Sequence, residues 1–230
     1  MKLFDTTTIK IKKTTVFAAA FFVIIAVTVF MLINAYSEMM NSQELSQPEP
    51  LTDTEDIELI QLMPPADDAV SAVISTTSGD IRIVLYSDET PNAVKMFCDT
   101  AAADGYNSLV CGLYEQGSVS TLDAPAIEST YSAELHKNLW PFKGAVCMNE
   151  SGDIIFINTV AFSEEDRQYL SEEGELYEVR TAFLEHGGVP NYARKYAVFG
   201  QVTEGMEVLE QIASSSMDMV ITVNNVTIEE

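Results

Sequence analysis

The side chains able to act as nucleophiles, metal ligands or proton carriers are few and scattered. Cys98, Cys111 and Cys147 leave one thiol unpaired if any disulfide forms, and none has the Cys-x-x-Cys spacing of a metal or redox site. They are read as small buried hydrophobes. His136 and His186 stand far apart with no partner pattern, so neither is assigned a ligating or catalytic role, and no metal or cofactor is implied. No Lys or Arg occurs from Met96 through His136. The later cations include Arg180, and Arg194 and Lys195 within the tyrosine-bearing stretch HGGVPNYARKY.

The 230 residues carry 35 acids against 12 bases, a formal charge of -23. Four of the bases, Lys2, Lys10, Lys12 and Lys13, lie in the first thirteen residues, leaving 12 − 4 = 8 for the rest of the chain. Binding nucleic acid requires clustered cations that displace counterions from phosphates, so this composition excludes it. With 47% apolar residues the chain can bury one ordinary core, which predicts a single globular domain.

Between Lys13 and Glu38 there is no charged residue, and the apolar run 16–36 is long enough to cross ~30 Å of hydrocarbon as a helix. The rival reading is a cleaved signal peptide. The run exceeds a typical signal core, and Ile33-Asn34-Ala35 is a poor cleavage site, so an uncleaved anchor is preferred. The lysines precede the helix, whereas residues 37–68 hold nine acids and no base, so the C-terminal domain is expected outside the cytoplasm. The predicted organisation is a basic cytoplasmic tail 1–13, a transmembrane helix 14–37, an acidic extended linker 38–68 and a domain 69–230. Whether residues 57–63 dock on that domain is left open by their pattern.

Within the domain, β-rich runs at 69–76 and 81–86 flank Thr-Ser-Gly-Asp, which supplies the chemistry of a hairpin turn. Thr90 can cap a helix whose first position suits Pro91, with Ala93, Val94, Phe97, Cys98 and Ala101 on one apolar face until Gly105. A second hairpin is predicted from 144–148 to 154–158, a strand over 196–202, a helix from about Thr203, and a last strand over 220–228. Many strands with two clear helices predict an antiparallel barrel or sandwich capped by helices.

The order and spacing of these pieces resemble the cyclophilin family of peptidyl-prolyl isomerases over nearly all of residues 70–229. TTSGDIRIVLYSDETPNAVKMF resembles the family's opening hairpin and first helix. KGAVCMN stands where the family has a strand ending in Met-Ala-Asn, and AVFGQVTEGMEVLEQIA resembles its most recognisable segment. The resemblance implies a mainly β fold, a closed eight-stranded antiparallel barrel with two helices covering its ends. It implies proline-containing polypeptide segments as partners, while membrane contact is expected from the apolar N-terminal run.

By resemblance, catalysis belongs to an Arg in a Phe-His-Arg motif after the first helix, donating toward the prolyl nitrogen. Such a donor lowers a rotation barrier of about 18–20 kcal/mol by preorganised electrostatics. Here that stretch reads GYNSLVCGLYEQGSVS and the motif is gone. Substrate-contact positions map onto Leu113, Tyr114, Gln116, Asn149, Phe156, Tyr192 and Tyr196. Phe156 and Leu113 are also natural core residues. The insertion 159–191, acidic and helix-like over 163–173 until Gly174, leads into Arg194 and Lys195, of which Arg194 is the better replacement for the lost guanidinium. The expectation is therefore a membrane-anchored, extracytoplasmic isomerase-type domain that is weak or inactive, with a non-catalytic peptide-binding or scaffold module as the alternative.

Overall fold

A computed structural model describes residues 28–29, 31, 56–66, 68–115, 119–122, 133–214 and 220–229. The chain divides into two units, Met1–Glu44 and Leu45–Glu230. In the first, Thr28, Val29 and Met31 are helical, and the rest of the expected span 14–37 lies outside the described residues. Among the described residues no helix is long and apolar enough to cross a membrane.

In the second unit, alternation of side chains organises eight strands: β1 (Ser71–Thr76), β2 (Gly79–Leu85), β3 (Val110–Glu115), β4 (Val119–Leu122), β5 (Ala145–Met148), β6 (Ile154–Ile157), β7 (Ala197–Glu204) and β8 (Ile221–Glu229). β1 buries every second residue, the pattern of a strand with one face on a core. All pairings are antiparallel in the order β1-β2-β7-β5-β6-β4-β3-β8, and β8 returns to pair with β1. The enclosed core takes a residue from every strand, among them Ile74, Ile83, Cys111, Leu122, Val146, Phe156, Phe199 and Val223.

Helix α1 (Pro91–Ala102) packs on β7 and β8, and α4 (Met206–Ser214) on β2, β3 and β4. Both send apolar side chains into the enclosed core: Val94 and Phe97 from α1, Leu209 and Ile212 from α4. Thr90 makes no side-chain cap at α1. Glu134 does so from the segment before β5, accepting from the Ala93 backbone N–H at 2.9 Å and the Asn92 side-chain amide at 2.6 Å. The predicted helix from Thr203 starts later, because β7 runs to Glu204 and the chain then turns at Gly205, φ +90°. A Cβ there would lie 2.3 Å from the Asp80 carbonyl oxygen, so the strand must end before the helix begins.

The insertion holds more structure than its acidic pattern predicts. Helix α2 (Glu164–Ser171) opens with a capping box in which Ser163 and Asp166 exchange side-chain and backbone bonds. A further helix, α3 (Tyr177–His186), follows, making a helical hairpin where only one helix was expected. Arg180 on α3 closes it, donating to the Glu172 carbonyl at 2.7 Å and lying over the Tyr169 ring. The hairpin forms a core of its own with Trp140, Phe142, Leu170, Val179 and Phe183, where the Phe142 and Phe183 rings pack tilted with centres 4.6 Å apart.

Candidate functional site

Since strand side chains alternate, every residue not facing the enclosed core of β5, β6 and β7 faces outward. Among these are Ala145 and Cys147 on β5, Ile155 and Ile157 on β6, and Val198 on β7. Such a face could form the floor of a peptide groove, but it is filled. Leu139, Val189 and Tyr192 from the flanking segments pack on it, with Ile60, Tyr86, Val160 and Tyr196 at its margins. Ala145, Cys147, Ile155 and Ile157 retain no accessible surface.

One recess opens beside this covered face among the described residues, walled by Leu139, Pro141 and Val198 and rimmed by His136, Arg194 and Tyr196. Its volume of about 10 Å³ is room for a single water. The Nε and Nη1 atoms of Arg194 are buried there. Arg194 holds a left-handed backbone, φ +63°, which costs about 1–2 kcal/mol for a residue with a Cβ. Backbone strain of this kind collects at functional sites when the surrounding structure enforces it. Next to it, Tyr192 and Tyr196 meet edge to face at 4.9 Å, and the Lys195 ammonium lies 5.5 Å and 5.0 Å from their ring centres. That cation rests against ring faces and is not among the residues lining the recess.

The positions singled out in the sequence divide accordingly. Tyr192, Arg194 and Tyr196 come together at the recess and the covered face. Phe156 does not join them. It is 2% exposed inside the barrel, because β6 turns Ile155 and Ile157 outward and Ile154 and Phe156 inward. Asn149 also stands apart from the recess, in the β5–β6 turn. Its carboxamide accepts from the backbone N–H of Ser151 at 3.0 Å and of Asp153 at 2.9 Å, and donates to the Asp153 carboxylate at 2.7 Å, tying the β5–β6 turn. Leu113 is half exposed near the end of β3. The Tyr114 side chain and all of Gln116 lie outside the described residues.

Sequence reasoning set aside His136 and did not assign Leu139, Pro141 or Gln61. The apolar run from Leu139 through Phe142 was the available signal. The three cysteines are free, and burial pushes the Cys111 thiol up to about 12 and Cys147 upward as well, so neither is a nucleophile at neutral pH.

A family model described as cyclophilin type peptidyl-prolyl cis-trans isomerase/CLD matches residues 178–230, which hold Arg194, Tyr196, β7, α4 and β8. Peptidyl-prolyl cis-trans isomerase 10 of Caenorhabditis elegans is 24% identical over 151 residues, covering 65% of this chain and 85% of that protein. A cyclophilin type isomerase of Cryptosporidium parvum superposes with a TM-score of 0.51 at 17% identity, over 70% of this chain and 98% of its own. The chain is similar to cyclophilin-type peptidyl-prolyl isomerases. The same Cryptosporidium parvum protein in the presence of the dipeptide Ala-Pro gives a TM-score of 0.52 at 17% identity, over 70% of this chain and 99% of that one. These structures establish a fold of antiparallel strands with helices for the cyclophilin-type domain.

Proposed function

We propose that this chain is a cyclophilin-type peptide-binding module whose prolyl isomerase activity is weak or absent, held outside the cytoplasm by a transmembrane helix within residues 14–37. The observation that carries the weak or absent activity is the occupied outer face of β5, β6 and β7, where the chain's own Leu139, Val189 and Tyr192 leave Ala145, Cys147, Ile155 and Ile157 without accessible surface. The missing Phe-His-Arg motif and the absence of any Lys or Arg from Met96 through His136 point the same way. An isomerase must favour the twisted amide over both planar forms, and that requires a donor beside a prolyl-sized pocket. Among the described residues, the recess beside Arg194 has room for about one water.

The test is proline-peptide turnover by the full chain in detergent. The expected rate is the uncatalysed one, tens to hundreds of seconds per exchange. A second reading, an isomerase using Arg194, is favoured by the left-handed Arg194 backbone at the recess. Acceleration that disappears in Arg194→Ala establishes that second reading and rejects the first. The orientation is tested separately by protease digestion of sealed vesicles, where protection of the C-terminal domain in right-side-out vesicles rejects the extracytoplasmic assignment.

A further inference from the structure

Ahead of β1, the chain makes one short 3₁₀ turn at Ile60–Leu62 on the surface of the domain. The backbone–backbone hydrogen bonds of this turn stay inside it: Ile60 to Glu58, Leu62 to Leu59 and Met63 to Ile60. It joins no strand ladder. From Leu62 to Ala66, a stretch including Pro64 and Pro65, every residue is exposed. The hold on the domain runs through side chains and one backbone donor, the Glu58 N–H, which donates to Asn138 Oδ1 at 3.0 Å. Ile57 and Leu59 pack on the helical-hairpin core, Ile60 packs on the covered outer face, and Gln61 between them is 7% exposed.

Gln61 meets a matched pair of partners. Its Oε1 accepts from the backbone N–H of Trp140 at 2.6 Å, and its Nε2 donates to Oε1 of Gln201 at 3.1 Å. The polarity of Gln201 is set in turn, because its Nε2 donates to the Lys143 carbonyl at 2.9 Å, which leaves the oxygen facing Gln61. One donor and one acceptor therefore face a single side chain at fixed positions. A primary carboxamide satisfies both. A carboxylate sets oxygen against the Gln201 oxygen, and an aliphatic side chain leaves two buried polar groups without partners.

We propose that this seat is a peptide-binding site for a segment of the chemistry aliphatic–aliphatic–glutamine, and that residues 57–62 are its resident ligand in cis. A second segment of that chemistry, on another chain, enters when the strap leaves. Detachment is local, because few contacts and no ladder bonds hold the strap, while the seat itself is built on β7 and on the backbone entering β5. The proposal stands whether or not the domain isomerises proline.

Trp140 is the only tryptophan of the chain and lies at the seat, so it reports directly. The experiment uses the full chain in detergent and its Gln61→Glu variant, with hydrogen exchange and acrylamide quenching of Trp140. In the variant, the Trp140 amide is expected to exchange ~100-fold faster and the indole to become more quenchable, while amides of β5 and β7 keep their protection. A peptide with the sequence of residues 56–63 then restores the original quenching, and binds about ten-fold or more tighter than its Gln→Glu counterpart. Unchanged Trp140 exchange in Gln61→Glu overturns the proposal. So does joint loss of protection in β5 and β7, which makes the strap an integral part of the core. So does a peptide that fails to restore quenching or binds equally well with Glu. In the unmodified chain the Trp140 amide must open more often than those of β5 and β7, and equal rates overturn the proposal without any variant.

Discussion

Phe156→Ala separates a core residue from a binding residue. Phe156 is 2% exposed, pairs across the ladder with Val146, and shares the enclosed core with Phe97, Leu122, Met148 and Phe199. Its strand is hydrogen-bonded on both sides, to β4 and to β5, so the β6 backbone resists moving inward to fill the cavity. Losing the buried ring costs about 2–3 kcal/mol in transfer alone, and the unfilled space raises the total to the upper part of the ~3–5 kcal/mol seen for Phe→Ala in cores. Against a typical total of about 5–15 kcal/mol this is a large fraction. For a domain of this size it corresponds to a fall in Tm of roughly 6–20 °C. The assay is urea or thermal unfolding of the full chain followed by circular dichroism, alongside peptide titration. A loss below about 1 kcal/mol combined with weakened binding of a proline peptide refutes the inward placement of Phe156.

Two further outcomes follow from local geometry. Glu134→Ala removes both bonds that close the N-terminus of α1, and is expected to cost about 1–2 kcal/mol with faster exchange in the first turn of that helix; unaltered exchange there rejects the cap. Burial raises the Cys111 thiol to about 12 from an ordinary value of about 9, and raises Cys147 also. Above about pH 9 the unfolded chain therefore releases protons that the folded chain retains, and stability falls by about 1.4 kcal/mol per pH unit for each thiol until its folded value is passed. The urea midpoint should drop between about pH 9 and about pH 10.5, and drop less in Cys147→Ala; a flat midpoint contradicts the burial.

The elements that depend on local signals were legible in the chain. Pro91 opened α1, a helix was placed from Ser163, and Thr-Ser-Gly-Asp turned the first hairpin, because such starts and turns use neighbours a few residues apart. Helix α3 was missed because Gly174 and an acid-rich start obscured its apolar residues. Their burial depends on Trp140 and Phe142, which arrive from far along the chain.

The site divides along the same line. Sequence alone established the missing Phe-His-Arg motif and the polyanionic charge, because both are matters of which residues exist. It could not assign the face of Phe156: β6 reads Ile-Ile-Phe-Ile, apolar on both sides, so periodicity carries no direction and only pairing with β4 and β5 chose the inward side. Nor could it reveal that Leu139, Val189 and Tyr192 fill the outer face, or that Gln61 finds Trp140 and Gln201, since these contacts join residues distant in the chain. Hydrogen-bond partners at such separations are decided by the closing of the sheet, which fixes where each backbone group stands in space.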